Sequence, residues 1–161
     1  MKPKLSDLEA LARGAGEILR AGYGEQNHVD RKGEIDLVTE VDRQSEAYLL
    51  AAIAEKFPTH SVISEETGFV EGSSEQVWYL DPLDGTTNFA HQLPIFSVSI
   101  AYRESGEVVL GVVYDPMRDE MFTAERGKGA WLNGEPVRVG EVAELSSSLV
   151  VTGFPYDRFE N

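Results

Sequence analysis

The sequence predicts an α+β fold, a pair of helices followed by an antiparallel sheet, and three observations carry that prediction. Helical spacing of apolar residues marks the N-terminal part of the chain. From Phe96 onward the pattern changes to period two. No helical stretch is interposed between the later strands, so the chain lacks the βαβ succession of a Rossmann-type sheet.

Each element has its own signal. Leu5, Leu8, Leu11, Ala12, Ala15, Ile18 and Leu19 recur at helical spacing, which predicts an amphipathic helix from 5 to about 21, stopped by Gly22 and Gly24. Residues 23–36 are polar, glycine-bearing and aperiodic, and read as a mobile loop. Thr39 and Asp42 stand at capping-box spacing, and a helix-forming run follows to Phe57, with Pro58 just beyond it. Ser61–Ser64 and Val77–Asp81 are short apolar runs and predict strands, with GFVEGSSEQ as a surface connection between them. Phe96–Tyr102, Val108–Tyr114, Glu120–Ala124 and Ala130–Leu132 predict a meander turning at ESGE, DPMRD, ERGKG and NGEP. A further strand is expected at Leu149–Thr152, after which the sequence turns polar.

Composition narrows the chemistry. The 161 residues include no cysteine, which excludes disulfides, thiolate catalysis and Cys-ligated zinc. The N-terminus has no long apolar run and no segment approaches membrane-spanning length, so the expected location is cytoplasmic. With 28 acids against 14 bases the formal charge is −14, which argues against nucleic acid or an anionic membrane as the main partner. Most of that excess reads as solvated surface. A share of it, gathered at one place, would suit divalent cations, which an anionic substrate would then require.

The stretch WYLDPLDGTTNFAH, Trp78 to His91, is where such a gathering is expected. A strand ends at Asp81, and Pro82 turns the chain so that Asp84 can return to the same side. The Leu83 carbonyl offers a third oxygen, and hard cations prefer this donor set. Gly85 permits close approach of a ligand, while Thr86-Thr87 can open a short helix whose N–H groups suit a phosphate. A locally capped turn would account for DPLDG alone, but not for its extension to DGTTNF after an apolar strand. Glu65-Glu66 also follows a strand. Such acids are ordinarily solvent-facing, yet beside a second acid-bearing strand end one of them becomes a candidate metal ligand. Asp36 and Asp42 flank Leu-Val-Thr-Glu-Val; Asp42 reads as a helix cap or as a carboxylate bonded to a threonine hydroxyl near the metal. Arg31 and Lys32 are surface charges unless their loop closes over a phosphate. His28, His60 and His91 share no metal-like spacing and receive no role.

DLVTEVD (36–42), SEETG (64–68) and WYLDPLDGTTNFAH (78–91), in this order and spacing, resemble the inositol monophosphatase family of Mg²⁺-dependent, lithium-sensitive phosphatases. The resemblance runs from about residue 5 to the end and includes GVVYDP and GAWLNG. It implies a layered α-β-α-β-α fold, commonly assembled as a homodimer, and a small-molecule phosphate ester as substrate. It implies that Glu65, Asp81, Asp84 and the Leu83 carbonyl bind two or three Mg²⁺ ions, for which Mn²⁺ is a substitute and Li⁺ an inhibitor. Gly85 and Thr86 would contact phosphate, with Lys32 closing on it. Thr86, linked to Asp42, would help Glu65 and the metal activate the attacking water. Family members run on through a further α/β unit bearing a Trp-Asp motif. The expectation is therefore an N-terminal metal-binding domain over 1–148, with 149–161 opening a second unit. On that expectation the chain holds the metal site and the phosphate cradle but has impaired turnover.

Overall fold

The computed structural model describes residues 1–24, 29–31 and 37–152. Helix α1 (Leu5–Gly22) forms where the sequence predicts it. Its start is fixed by a reciprocal pair: the Lys4 N–H donates to the Asp7 carboxylate at 2.7 Å, and the Asp7 N–H returns to the Lys4 carbonyl at 2.9 Å. Leu8, Leu11, Ala12, Ala15 and Leu19 form its buried stripe. Gly16 is there for closeness, because a Cβ would lie 2.5 Å from the Tyr114 ring.

Two short strands follow, β1 (Val29–Arg31) and β2 (Leu37–Thr39), paired antiparallel as a small separate sheet. The predicted loop over 23–36 therefore contains a strand; Lys32 and Asp36 lie outside the described residues. Helix α2 (Glu40–Lys56) comes next and packs against α1.

Among the described residues the main sheet has eight strands. β3 (His60–Ser64) and β4 (Gly68–Val70) form a hairpin at one end, and β5 (Ser73–Asp84) runs parallel to β3 on its other side. The expected surface connection between 68 and 76 is thus an edge strand and the opening of β5. Its residues are largely exposed, which hid the strand from any apolar pattern. After the short helix α3 (Thr86–Ala90) the chain makes the predicted meander: β6 (Ser97–Glu104), β7 (Glu107–Asp115), β8 (Glu120–Glu125), β9 (Gly129–Leu132) and β10 (Glu135–Val137). The spatial order is β10-β9-β8-β7-β6-β5-β3-β4. β10 extends the meander by one strand beyond the sequence expectation. The NGEP segment turns only at Asn133-Gly134, both with positive φ, and then re-enters the sheet.

Both helices cover one face of this sheet. Val98, Ile100 and Tyr102 of β6 and Leu110, Val112 and Tyr114 of β7 alternate inward, as period two requires. Trp78, fully buried, pairs with Tyr102 across the strands and meets Phe57 and His60 in one aromatic cluster with ring centroids 5.2–6.3 Å apart. The Trp78 indole N–H donates to His60 Nδ1 at 3.0 Å, so this histidine is structural. Beyond β10 the chain leaves the sheet through a 3-10 turn (Leu145–Ser147). The strand expected at Leu149–Thr152 does not form. Leu149 and Val151 lie almost wholly in solvent, and among the described residues no strand edge pairs with them. Among the described residues no helix is long and apolar enough to cross a membrane.

Candidate metal and phosphate site

Topology brings the acidic strand ends together. Because β3 and β5 run parallel in register Ser64↔Leu80, both strands finish at the same edge of the sheet. Glu65, the first residue after β3, donates its N–H to the Leu80 carbonyl at 3.2 Å and so stands beside Asp81. An antiparallel pairing would have placed Glu65 at the far end of β5.

A bulge adds the third carboxylate. Asp81 opposes Ser99 and Asp84 opposes Ser97, so three steps along β5 match two along β6. In a regular strand residues three apart point to opposite faces; the extra residue restores Asp84 to the side of Asp81. Pro82, which cannot donate to a ladder, sits inside the bulge. The Leu83 N–H turns back to Asp81 Oδ1 at 3.2 Å, and the Ser97 hydroxyl donates to Asp84 Oδ2 at 3.3 Å.

Burial, with the Glu65 and Asp84 charges beside it, pushes the Asp81 carboxyl up to about 7. Among the described residues no three His, Asp or Glu side chains are drawn to metal-ligand separations. The donors are all oxygen: three carboxylates and the Leu83 carbonyl. This set fits a hard divalent cation, whose charge would relieve the repulsion that holds the Asp81 proton.

The chain then enters α3 through Gly85, at φ 90 and ψ 34. A Cβ at this left-handed position would lie 3.1 Å from the Ile95 carbonyl, so both conformation and space call for glycine. Thr86 Oγ1 lies 3.0 Å from the Leu83 carbonyl and 3.5 Å from Asp42 Oδ2. Asp42, only 2% exposed, is therefore turned into the site from α2.

Of the residues singled out in the sequence, the structure gathers Glu65, Asp81, Leu83, Asp84, Gly85, Thr86 and Asp42 at one sheet edge. Lys32 and Asp36 fall outside the described residues. Sequence reasoning missed two others. The Ser45 hydroxyl, fully buried, donates to the Pro82 carbonyl at 2.9 Å and holds the bulge. Glu46, also buried, accepts from both the N–H and the hydroxyl of Thr67. Neither carries a local signal, since polar residues on a helix mark its outer face until the packing of α2 is known.

Comparison with known proteins finds relatives of this chain and of its fold. The inositol monophosphatase family pattern matches residues 3–161. Nus factor SuhB of Escherichia coli K12 is 45% identical over 159 residues, covering 97% of this chain and 60% of that protein. The structure of inositol monophosphatase from Anabaena superposes with a TM-score of 0.85 at 42% identity, over 98% of this chain and 57% of that one. The Thermotoga maritima IMPase structure gives 0.77 at 44% identity, over 82% of this chain and 52% of that one. The chain thus spans about 60% of the length of the curated relatives it matches. On the family pattern, the identities and the shared fold, it belongs to the inositol monophosphatase family.

Proposed function

We propose that the site serves Mg²⁺-dependent hydrolysis of a phosphate monoester, inositol 1-phosphate or a related sugar phosphate. The observation that carries this reading is the convergence of Glu65, Asp81 and Asp84 at one sheet edge, through a parallel strand pair and a bulge. Nothing in the packing of the sheet needs such a cluster.

Glu65, Asp81, Asp84 and the Leu83 carbonyl would hold Mg²⁺, with Mn²⁺ as a substitute, and the bound ion would supply positive charge to the phosphate and acidify the attacking water. The backbone N–H groups of Gly85 and Thr86 position the phosphate. The Thr86 hydroxyl, between the Leu83 carbonyl and Asp42, orients the water and passes its proton toward Asp42. A carboxylate as buried as Asp42 stays fixed in direction, which is what orientation of that hydroxyl requires. Specificity for one ester, full turnover and assembly as a homodimer rest on the longer relatives and are part of the proposal. Relatives at 45% identity bear the name Nus factor, and a role of that kind is a second reading for this chain.

The test is phosphate release from inositol 1-phosphate with Mg²⁺, with and without Li⁺, beside Asp81→Asn. Lithium-sensitive release that Asp81→Asn abolishes upholds the reading. Release unaffected by Asp81→Asn refutes it.

A further inference from the structure

The inward face of α2 is polar where it meets the site. Asp42, Ser45 and Glu46 follow one another at i, i+3 and i+4, all buried, before the same face turns apolar at Leu49 and Ile53. Asp42 and Ser45 both reach the β5–α3 segment, through Thr86 and the Pro82 carbonyl. Glu46 reaches the other side of the site, the turn between β3 and β4 that carries Glu65.

That turn has few apolar restraints. Glu65 and Thr67 are exposed, and in the edge strand β4 Phe69 lies largely in solvent and Val70 partly so, so apolar packing does little to hold it. Glu46, 6% exposed, binds it with both oxygens: Oε1 accepts the Thr67 N–H at 2.9 Å and Oε2 the Thr67 hydroxyl at 2.6 Å. The Glu66 backbone also bonds to this carboxylate. A lone buried carboxylate is costly, and one that collects several donors is a charge-assisted clamp. Burial pushes the Glu46 carboxyl up, but the Ser64 and Thr67 side chains and the Thr67 and Glu66 backbone outweigh it and hold the group below the usual range, so it stays ionised.

We propose that Glu46 is a positioning residue: by clamping the Glu66–Thr67 turn to α2 it fixes the direction in which Glu65 is presented to Asp81. Helix α2 is then a common mount for both halves of the site. The proposal rests on the metal-site reading above for its consequence, and on the turn alone for its mechanics.

The test uses the 161-residue chain and the variants Glu46→Gln, Thr67→Ala and Thr67→Ser, with Asp81→Asn as control. Thr67→Ala alters an exposed side chain and keeps the test open should Glu46→Gln fold poorly. In metal-free protein, Glu46→Gln and Thr67→Ala are expected to speed amide exchange at Glu66 and Thr67 by about tenfold, the loss of one charge-assisted bond, with Trp78 and its neighbours unchanged. Calorimetry with Mg²⁺ alone should show binding weakened about three- to tenfold in both, a double variant no worse than either, and near-normal values for Thr67→Ser. Unchanged exchange at Glu66 and Thr67 overturns the clamp. Faster exchange with unaltered Mg²⁺ affinity, where Asp81→Asn abolishes binding, overturns its role in positioning Glu65. Failure of the wild-type chain to take up Mg²⁺ sinks the metal-site reading instead, and the exchange result then decides the clamp.

Discussion

Replacing Asp81 by asparagine should stabilise the metal-free protein, although the same change is expected to destroy its chemistry. The Asp81 carboxyl, ordinarily at 3.8, is pushed up to about 7 by burial and by Glu65 and Asp84. Between those values the folded chain binds more protons than the unfolded one, so stability falls as pH rises through that window and levels off above it. The gap corresponds to about 4 kcal/mol as an upper bound, at about 1.4 kcal/mol per pH unit. Because the side chain is only partly buried, solvent screening reduces this to about 1–2 kcal/mol. The amide introduced by Asp81→Asn does not titrate and is nearly isosteric with the carboxyl it replaces. Urea unfolding in chelator should therefore show Asp81→Asn more stable than wild type by about 1–2 kcal/mol at pH 8, with the gain shrinking toward pH 4. Excess Mg²⁺ should reverse the order, since only the wild type retains the full ligand set. A variant that is equal or less stable at pH 8 in chelator would refute the idea that these carboxylates strain the fold when no cation lies between them.

Gly85→Ala forces a Cβ into left-handed backbone 3.1 Å from the Ile95 carbonyl and should cost about 1–3 kcal/mol in a urea melt, with phosphate release lost in proportion. Ser45→Ala strands the buried Pro82 carbonyl and should cost about 1–3 kcal/mol, read as a lower thermal midpoint. His60 should give a slope opposite to that of Asp81. Burial first, then the nearby N-terminal ammonium, lowers its proton affinity, and protonating Nδ1 would break the bond from Trp78. Its contribution is thus present above the usual 6.5 and lost as pH falls below it, and His60→Gln should flatten the acid limb of the stability profile in that region.

Much of this was legible in advance. Helix α1 and the meander are set by local periodicity, α2 by a helix-forming run between a capping pair and Pro58, and the candidate site by DPLDGTTNF, where residue types and spacing already offer oxygen donors around a turn. What escaped the sequence depends on partners distant along the chain. The strands β4 and β10 are short and exposed, so they carry no apolar pattern and exist because a neighbouring strand offers its edge. Leu149–Val151 shows the converse: an apolar run that, among the described residues, no strand takes up remains outside the sheet. Ser45 and Glu46 look like ordinary helix-surface residues until the burial of α2 against β5 and the β3–β4 turn becomes visible. The parallel pairing of β3 and β5 likewise follows from topology, with no local residue signal to announce it.

The bulge in β5 also makes the site depend on chain length as much as on chemistry. Side-chain direction along a strand is a matter of odd and even, and the single extra residue between Asp81 and Asp84 converts one into the other. Conservative exchanges at Leu83, which contributes a backbone oxygen, leave that parity intact. A one-residue deletion in Pro82-Leu83 would leave Asp84 two residues from Asp81 and still on its side, but in a regular strand, without the irregular backbone that frees the Leu83 oxygen. Residue type and residue count in the bulge are thus separate variables: the first leaves the Leu83 oxygen where it is, and the second decides whether the regular ladder takes it up.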